Sequence, residues 1–149
     1  MPITTQEIER RMTHFETVCR DKGIKRTHQR IEIFREVAQA EDHPDAEQIF
    51  QRVQKRMPTV SLDTVYRTLW LLHELGLVIT LHSGRERTHF DANLEKHHHF
   101  VCEHCGFTRD FHCSDLDRIR LPDVLKNFGK VKTAQVEARG LCKACLLKK

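Results

Sequence analysis

SLDTVYRTLWLLHELG (Ser61–Gly76), running on through LVITLH (Leu77–His82), SGR (Ser83–Arg85) and RTHFD (Arg87–Asp91), decides the fold. Ser61 offers a side-chain oxygen where the first amides of a helix need an acceptor. Leu62, Val65, Leu69 and Leu72 then recur at helical spacing, and Gly76 supplies the stop. Leu77–His82 reads as a strand, Ser83-Gly84-Arg85 as a turn, and Arg87–Asp91 as the returning strand.

Three helices are expected upstream. Thr5 to about Lys22 carries Ile8, Met12, Phe15 and Cys19 on one stripe, with Gly23 as the stop. A second starts after Thr27 with Ile31, Phe34 and Val37 or Ala38 facing inward. A third is expected to begin at His43-Pro44, since proline suits a first helical turn, and to end before Pro58 after burying Ala46, Ile49, Phe50, Val53 and Met57. Helix, turn, helix and then a β-hairpin is the pattern of a winged helix-turn-helix, assigned here to residues 1–90.

From residue 91 the chain changes character. His97–Glu103 and Gly106–Cys113 read as paired strands, Ser114–Phe128 as a helix interrupted at Pro122, and Lys130–Ala138 as a further strand. The whole is α+β, with residues 91–149 forming a small second domain. A sheet this small buries little by itself, so packing against a second copy is expected.

The chain has 149 residues, 39% hydrophobic and 31% charged, which is ordinary for a globular protein. Met1–Met12 (MPITTQEIERRM) has no apolar core, and the longest apolar runs fall far short of the roughly 20 residues of a membrane span. Neither secretion nor a membrane partner is expected, and a cytoplasmic location is. Lys and Arg exceed Asp and Glu by 25 to 21, only a mild hint of a polyanionic partner.

Six cysteines and eleven histidines say more. Cys102-Glu-His-Cys105 and Cys142-Lys-Ala-Cys145 are two C-x-x-C knuckles. Each two-residue gap lets both sulfurs face one ion, and two knuckles complete a tetrahedral S4 set for Zn2+. Such a closed set leaves no position for a substrate, so the zinc is structural. Thirty-six residues separate the knuckles, enough for a strand and a helix between them. The competing readings are a thiol redox enzyme using Cys102 and Cys105, and a zinc-ribbon interaction module that does not bind DNA. Cys19 reads as core, and Cys113 has no assignment. No Ser/His/Asp order or phosphate-binding glycine loop points to an enzyme.

A second set of candidate donors surrounds the first knuckle. On a strand, His97 and His99 share one face and His98 takes the other. Asp91 lies six residues before His97, Asp110 is on the return strand, and His43 belongs to the helical part. Singly each has a bland reading as a cap, a turn residue or a solvated side chain. Together they are three nitrogens and two carboxylates with no thiolate, a set suited to Fe2+ or Mn2+.

The segments Gly23–Arg30 (GIKRTHQR), His43-Pro44, Thr64–Leu69 (TVYRTL), His89–Asp91 (HFD), His97–Gly106 (HHHFVCEHCG) and the final C-x-x-C resemble the Fur (ferric uptake regulator) family of bacterial metal-dependent repressors over essentially the whole chain. The resemblance implies a homodimer with an N-terminal winged-helix DNA-binding domain and a C-terminal dimerisation domain. It implies structural zinc at Cys102, Cys105, Cys142 and Cys145, and a regulatory metal at His43, Asp91, His97, His99 and Asp110. Aspartate at both 91 and 110 resembles the peroxide-sensing branch, while Arg67 resembles iron sensors, so an iron-responsive repressor without peroxide chemistry is the alternative. His28 stands where the family usually has proline, and Ala134 where some iron-type members have histidine.

On that reading the Ser61–Leu75 helix enters the major groove of a palindromic operator. Thr64, Tyr66 and Arg67 face outward, with Arg67 placed for guanine and Tyr66 for a thymine methyl. Lys25, Arg26, Arg85 and Arg87 are the expected phosphate contacts.

Overall fold

The computed structural model describes residues 2–82 and 87–148 and divides into two compact units, Met1–Leu94 and Glu95–Lys149. The first opens with α1 (Thr5–Lys22) and α2 (His28–Gln39), capped by the hydroxyls of Thr4 and Thr27. Gly23 closes α1 at φ 67°, a left-handed conformation that costs a side-chain-bearing residue more. His28 at the first position of α2 forms the helix without the ring constraint of a proline.

α3 corrects the sequence reading. It runs Ala46–Gln54 rather than starting at His43-Pro44. Asp45 accepts the Gln48 N–H, and the Gln48 side chain accepts the Asp45 N–H, both at 2.9 Å. This capping box outcompetes a proline start because it satisfies two amides at once. The preceding residues turn back instead: His43 sits at φ 52°, and Asp45 bridges His89 in antiparallel fashion.

α4 (Leu62–Glu74) begins on Ser61, whose Oγ accepts the Thr64 N–H at 3.1 Å. It buries Val65, Thr68, Leu69 and Leu72 against Phe15, Ile33, Phe34, Val37, Ile49 and Val53. β1 (Ile79–His82) and β2 (Thr88–Asp91) form the antiparallel wing, with Ile79 opposite Asp91 and His82 opposite Thr88. The expected Ser83–Arg85 turn lies outside the described residues.

The second unit is a three-stranded sheet in the order β4-β3-β5. β3 (His98–Cys102) pairs antiparallel with β4 (Thr108–Phe111) and parallel with β5 (Glu137–Gly140). Two expectations are corrected here. The helix expected over Ser114–Phe128 is only α5 (Ser114–Asp117) and a 3-10 turn at Asp123–Asn127. Pro122 divides the segment, and neither piece buries a side chain that would hold a longer helix together. The strand expected over Lys130–Ala138 forms late, at Glu137–Gly140, because pairing with β3 sets its span. A last helix, α6 (Lys143–Leu147), carries the second knuckle. Among the described residues no helix is long and apolar enough to cross a membrane.

Candidate metal centres

The four knuckle cysteines bring one sulfur each to within 4.8 Å of one another. The chain supplies this by two tight turns. Gly106, at φ 81°, reverses it after Cys105, and Cys142 caps α6 by accepting the Cys145 N–H at 3.4 Å. Glu103 N–H bonds Gly140 O at 2.8 Å, joining the two knuckle strands. The Cys105 and Cys142 sulfurs are 3.7 Å apart, far beyond a disulfide bond. Zinc–sulfur bonds of about 2.3 Å at tetrahedral angles put sulfurs about 3.8 Å apart, so the cluster fits Zn2+. Without metal, the thiols differ in how readily they ionise. Backbone N–H groups of Cys105 and Cys142 pull Cys102 down to about 6, whereas hydrogen bonding with the Cys142 side chain and then burial push Cys145 up to about 12. Four thiolates at this spacing are the donor set of a structural zinc site.

The nitrogen and oxygen donors fall into two groups, one in each unit. In the first unit, His43 and Asp91 are both buried, with His43 Nε2 and Asp91 Oδ2 3.0 Å apart. His43 is placed by its backbone: its carbonyl accepts from His89 Nδ1 at 2.7 Å, and Phe90 N–H donates to Pro44 O at 3.0 Å. Asp91 ends β2, and its Oδ1 accepts the Asn93 N–H at 2.9 Å. His89 and Asn93 thus orient the pair, as outer partners orient metal ligands.

In the second unit, His97 and His99 lie on one face with ring centroids 4.6 Å apart. Asp110 stands opposite His99 across the β3–β4 ladder. Its Oδ1 is 3.2 Å from His99 Nε2 and 3.5 Å from His97 Nε2. His97 Nδ1 faces the Glu95 carbonyl, which turns Nε2 toward the carboxylate. Donors at right angles on bonds of about 2.1 Å would be about 3.0 Å apart, close to these separations. The donor chemistry and the spacing within each group fit a metal ion.

The candidate DNA residues have varied surroundings. Arg67 is exposed and pairs with Asp63 at 2.8 Å. Tyr66 is 41% exposed and, with Trp70, Arg87 and Phe90, borders a shallow cavity. Thr64 is half-buried, and its Oγ1 accepts from Ser61 at 2.9 Å. Lys25 is exposed, Arg26 pairs with Glu16 at 3.2 Å, and Arg87 pairs with Asp45 at 3.3 Å. Arg85 lies outside the described residues. The orienting roles of Asp45, His89 and Asn93 went unread in the sequence; only the D-x-x-Q of Asp45 and Gln48 was a usable signal.

A winged helix, a thiolate zinc site and buried imidazole–carboxylate groups together define a metal-binding winged-helix protein. A model of the ferric uptake regulator family matches residues 21–139, and the chain belongs to that family. It is 34% identical over 127 residues to the peroxide-responsive repressor PerR of Staphylococcus epidermidis, covering 85% of this chain and 84% of the relative. A solved structure of PerR from Streptococcus pyogenes, described as the basis for peroxide sensing and gene regulation, is 30% identical with a TM-score of 0.53, covering 90% of this chain and 92% of that one. The ferric uptake regulator of Helicobacter pylori shares the fold at a TM-score of 0.77 and 22% identity, covering 98% and 97% of the two chains.

Proposed function

We propose that the chain is a metal-dependent, peroxide-responsive transcriptional repressor, acting as a cytoplasmic homodimer on a palindromic operator. Membership of the regulator family and the repressor names of its relatives support this reading. The observation that carries it is the division of donors. His43 and Asp91 belong to the winged-helix unit, and His97, His99 and Asp110 belong to the other.

Residues 1–90 would bind DNA, residues 91–149 would dimerise and sense, and Asp91 would stand at the junction. All five donors gathered on one Fe2+ or Mn2+ would tie the units and fix the separation of the two α4 helices in the dimer. The productive separation matches half-sites about 34–36 Å apart. Arg67, released from Asp63, would take a guanine edge, with Thr64 and Tyr66 beside it. Lys25, Arg26, Arg85 and Arg87 would hold phosphates.

Ferrous iron, when bound, would supply the electrons that turn hydrogen peroxide into an oxidant beside the donor imidazoles. The chain's own part is to hold His43 and His97 in place through Asp91, His89 and the Glu95 carbonyl. An oxidised imidazole is a poorer ligand, so the units part and repression ends. Peroxide treatment of the Fe2+ form followed by peptide mass spectrometry should show one added oxygen on the His43 or His97 peptide. The Mn2+ form should stay unmodified. Absence of the added oxygen from both forms would leave iron sensing without peroxide chemistry as the account.

A further inference from the structure

The middle histidine of the His97–His99 run has no place in either metal set, yet it is fully buried. His98 points away from its neighbours and uses both ring nitrogens. Its Nε2 donates to Asp117 Oδ1 at 2.8 Å, and its Nδ1 accepts the Val136 N–H at 3.0 Å. The next residue takes the other backbone group of Val136, since His99 N–H donates to the Val136 carbonyl at 3.1 Å. Val136 is therefore held by the ring of His98 and the backbone of His99, immediately before β5 begins.

This fixes register on both sides of β3. Toward β5, the Val136 bonds set Glu137 opposite His99. Toward β4, Phe111 lies opposite His98 with its ring centroid 5.6 Å from the imidazole, which leaves Asp110 opposite His99. A slip of one residue would turn His97 and His99 to the wrong face. Asp117 is itself anchored, because Lys96 Nζ donates to its carbonyl at 2.7 Å.

We infer that His98 is a positioning residue for the regulatory metal: bonded to Asp117 and Val136, it holds β3 so that His97, His99 and Asp110 present their donors together. The inference rests on the reading of those three residues as metal ligands. Its two bonds can be cut separately. Asparagine can replace Nδ1 as acceptor for Val136, glutamine can replace Nε2 as donor to Asp117, and alanine loses both.

The test is a Mn2+ titration of the full-length zinc-loaded protein, following free Mn2+ by electron paramagnetic resonance. His98→Ala, His98→Asn, His98→Gln, Asp117→Ala, Asp117→Asn and His99→Ala are compared, with zinc content and circular dichroism measured on each. His98→Ala and Asp117→Ala should bind Mn2+ at least tenfold more weakly while keeping one zinc per chain. His98→Asn and His98→Gln should each recover part of the loss, and Asp117→Asn, whose amide oxygen still accepts, most of it. Should His98→Ala fail to fold, the Asp117 pair carries the same comparison. Unchanged Mn2+ binding in His98→Ala and Asp117→Ala beside a loss in His99→Ala overturns the positioning role and leaves the ligand reading standing. Zinc lost in step with Mn2+ also overturns it, in favour of a general structural role. Unchanged binding in His99→Ala removes the ligand reading, and the inference with it.

Discussion

The first unit buries Phe15, Ile33, Phe34, Val37, Ile49, Val53, Leu69, Leu72 and Phe90 to within 1% of complete exclusion from solvent, whereas among the described residues the buried apolar side chains of the second are Val101, Cys102 and Cys142. In the second unit Phe128 is 78% exposed and Leu147 86%. The first unit is held by apolar area, worth about 25 cal/mol per Å2 removed from water. The second, with 55 residues, is too short for that source alone and depends on its sheet, its buried histidines and its thiolates. The imidazole and carboxylate groups of the second unit thus stand where folding depends on specific polar bonds.

The largest test of that contrast is removal of zinc. Structural zinc contributes apparent binding energies of about 10–16 kcal/mol in small domains. Chelation of the full chain under reducing conditions should abolish amide-exchange protection in β3 and β4 while protection in α4 persists. Simultaneous loss in both units would break the comparison.

Leu69→Ala applies the opposite stress. It is fully buried in the first unit, and truncation there should cost about 2–5 kcal/mol. The zinc content of the second unit should not change, as metal analysis of the purified variant would show. A fall in zinc would mean that the two units do not depend on separate forces.

Asp42→Asn sharpens the comparison at its weakest end. Arg52 bonds Asp42 at 2.5 Å and holds its carboxyl below the usual range, against a smaller opposing effect of burial. A depressed carboxyl contributes stability that is present above its unfolded value and fades as pH falls through its folded one. For a pair this exposed the substitution should cost about 0.2–1 kcal/mol at neutral pH. Denaturant melts should show wild type and variant converging below about pH 3.8, the ordinary value for the group.

The same contrast explains what could be read in the sequence. In the first unit an apolar stripe and a capping hydroxyl act locally, so α1 and α4 were legible nearly to the residue from Gly23, Ser61 and the Leu69 face. α3 was misplaced because the proline signal was weighed without the Asp45–Gln48 box. In the second unit the span of β5 comes from pairing with a distant strand, and the 114–128 segment has apolar residues of which none is buried within the chain. That the knuckle cysteines come together, and that His97 and His99 meet Asp110, was legible because donor chemistry shows in residue type and spacing. The role of His98 was not, since its partners Asp117 and Val136 are remote in the chain.

On the proposed function, one ion would be held jointly by donors from the two units, so that occupancy would become grip on DNA. The most direct measurement is affinity for a duplex selected by the wild-type protein from a random library, with and without Mn2+ at fixed salt, in His43→Ala. Wild type should gain about 5- to 150-fold from the metal, as a coupling of ~1–3 kcal/mol implies. The variant should gain nothing while keeping its zinc and its metal-free affinity. An undiminished gain in His43→Ala would contradict the account.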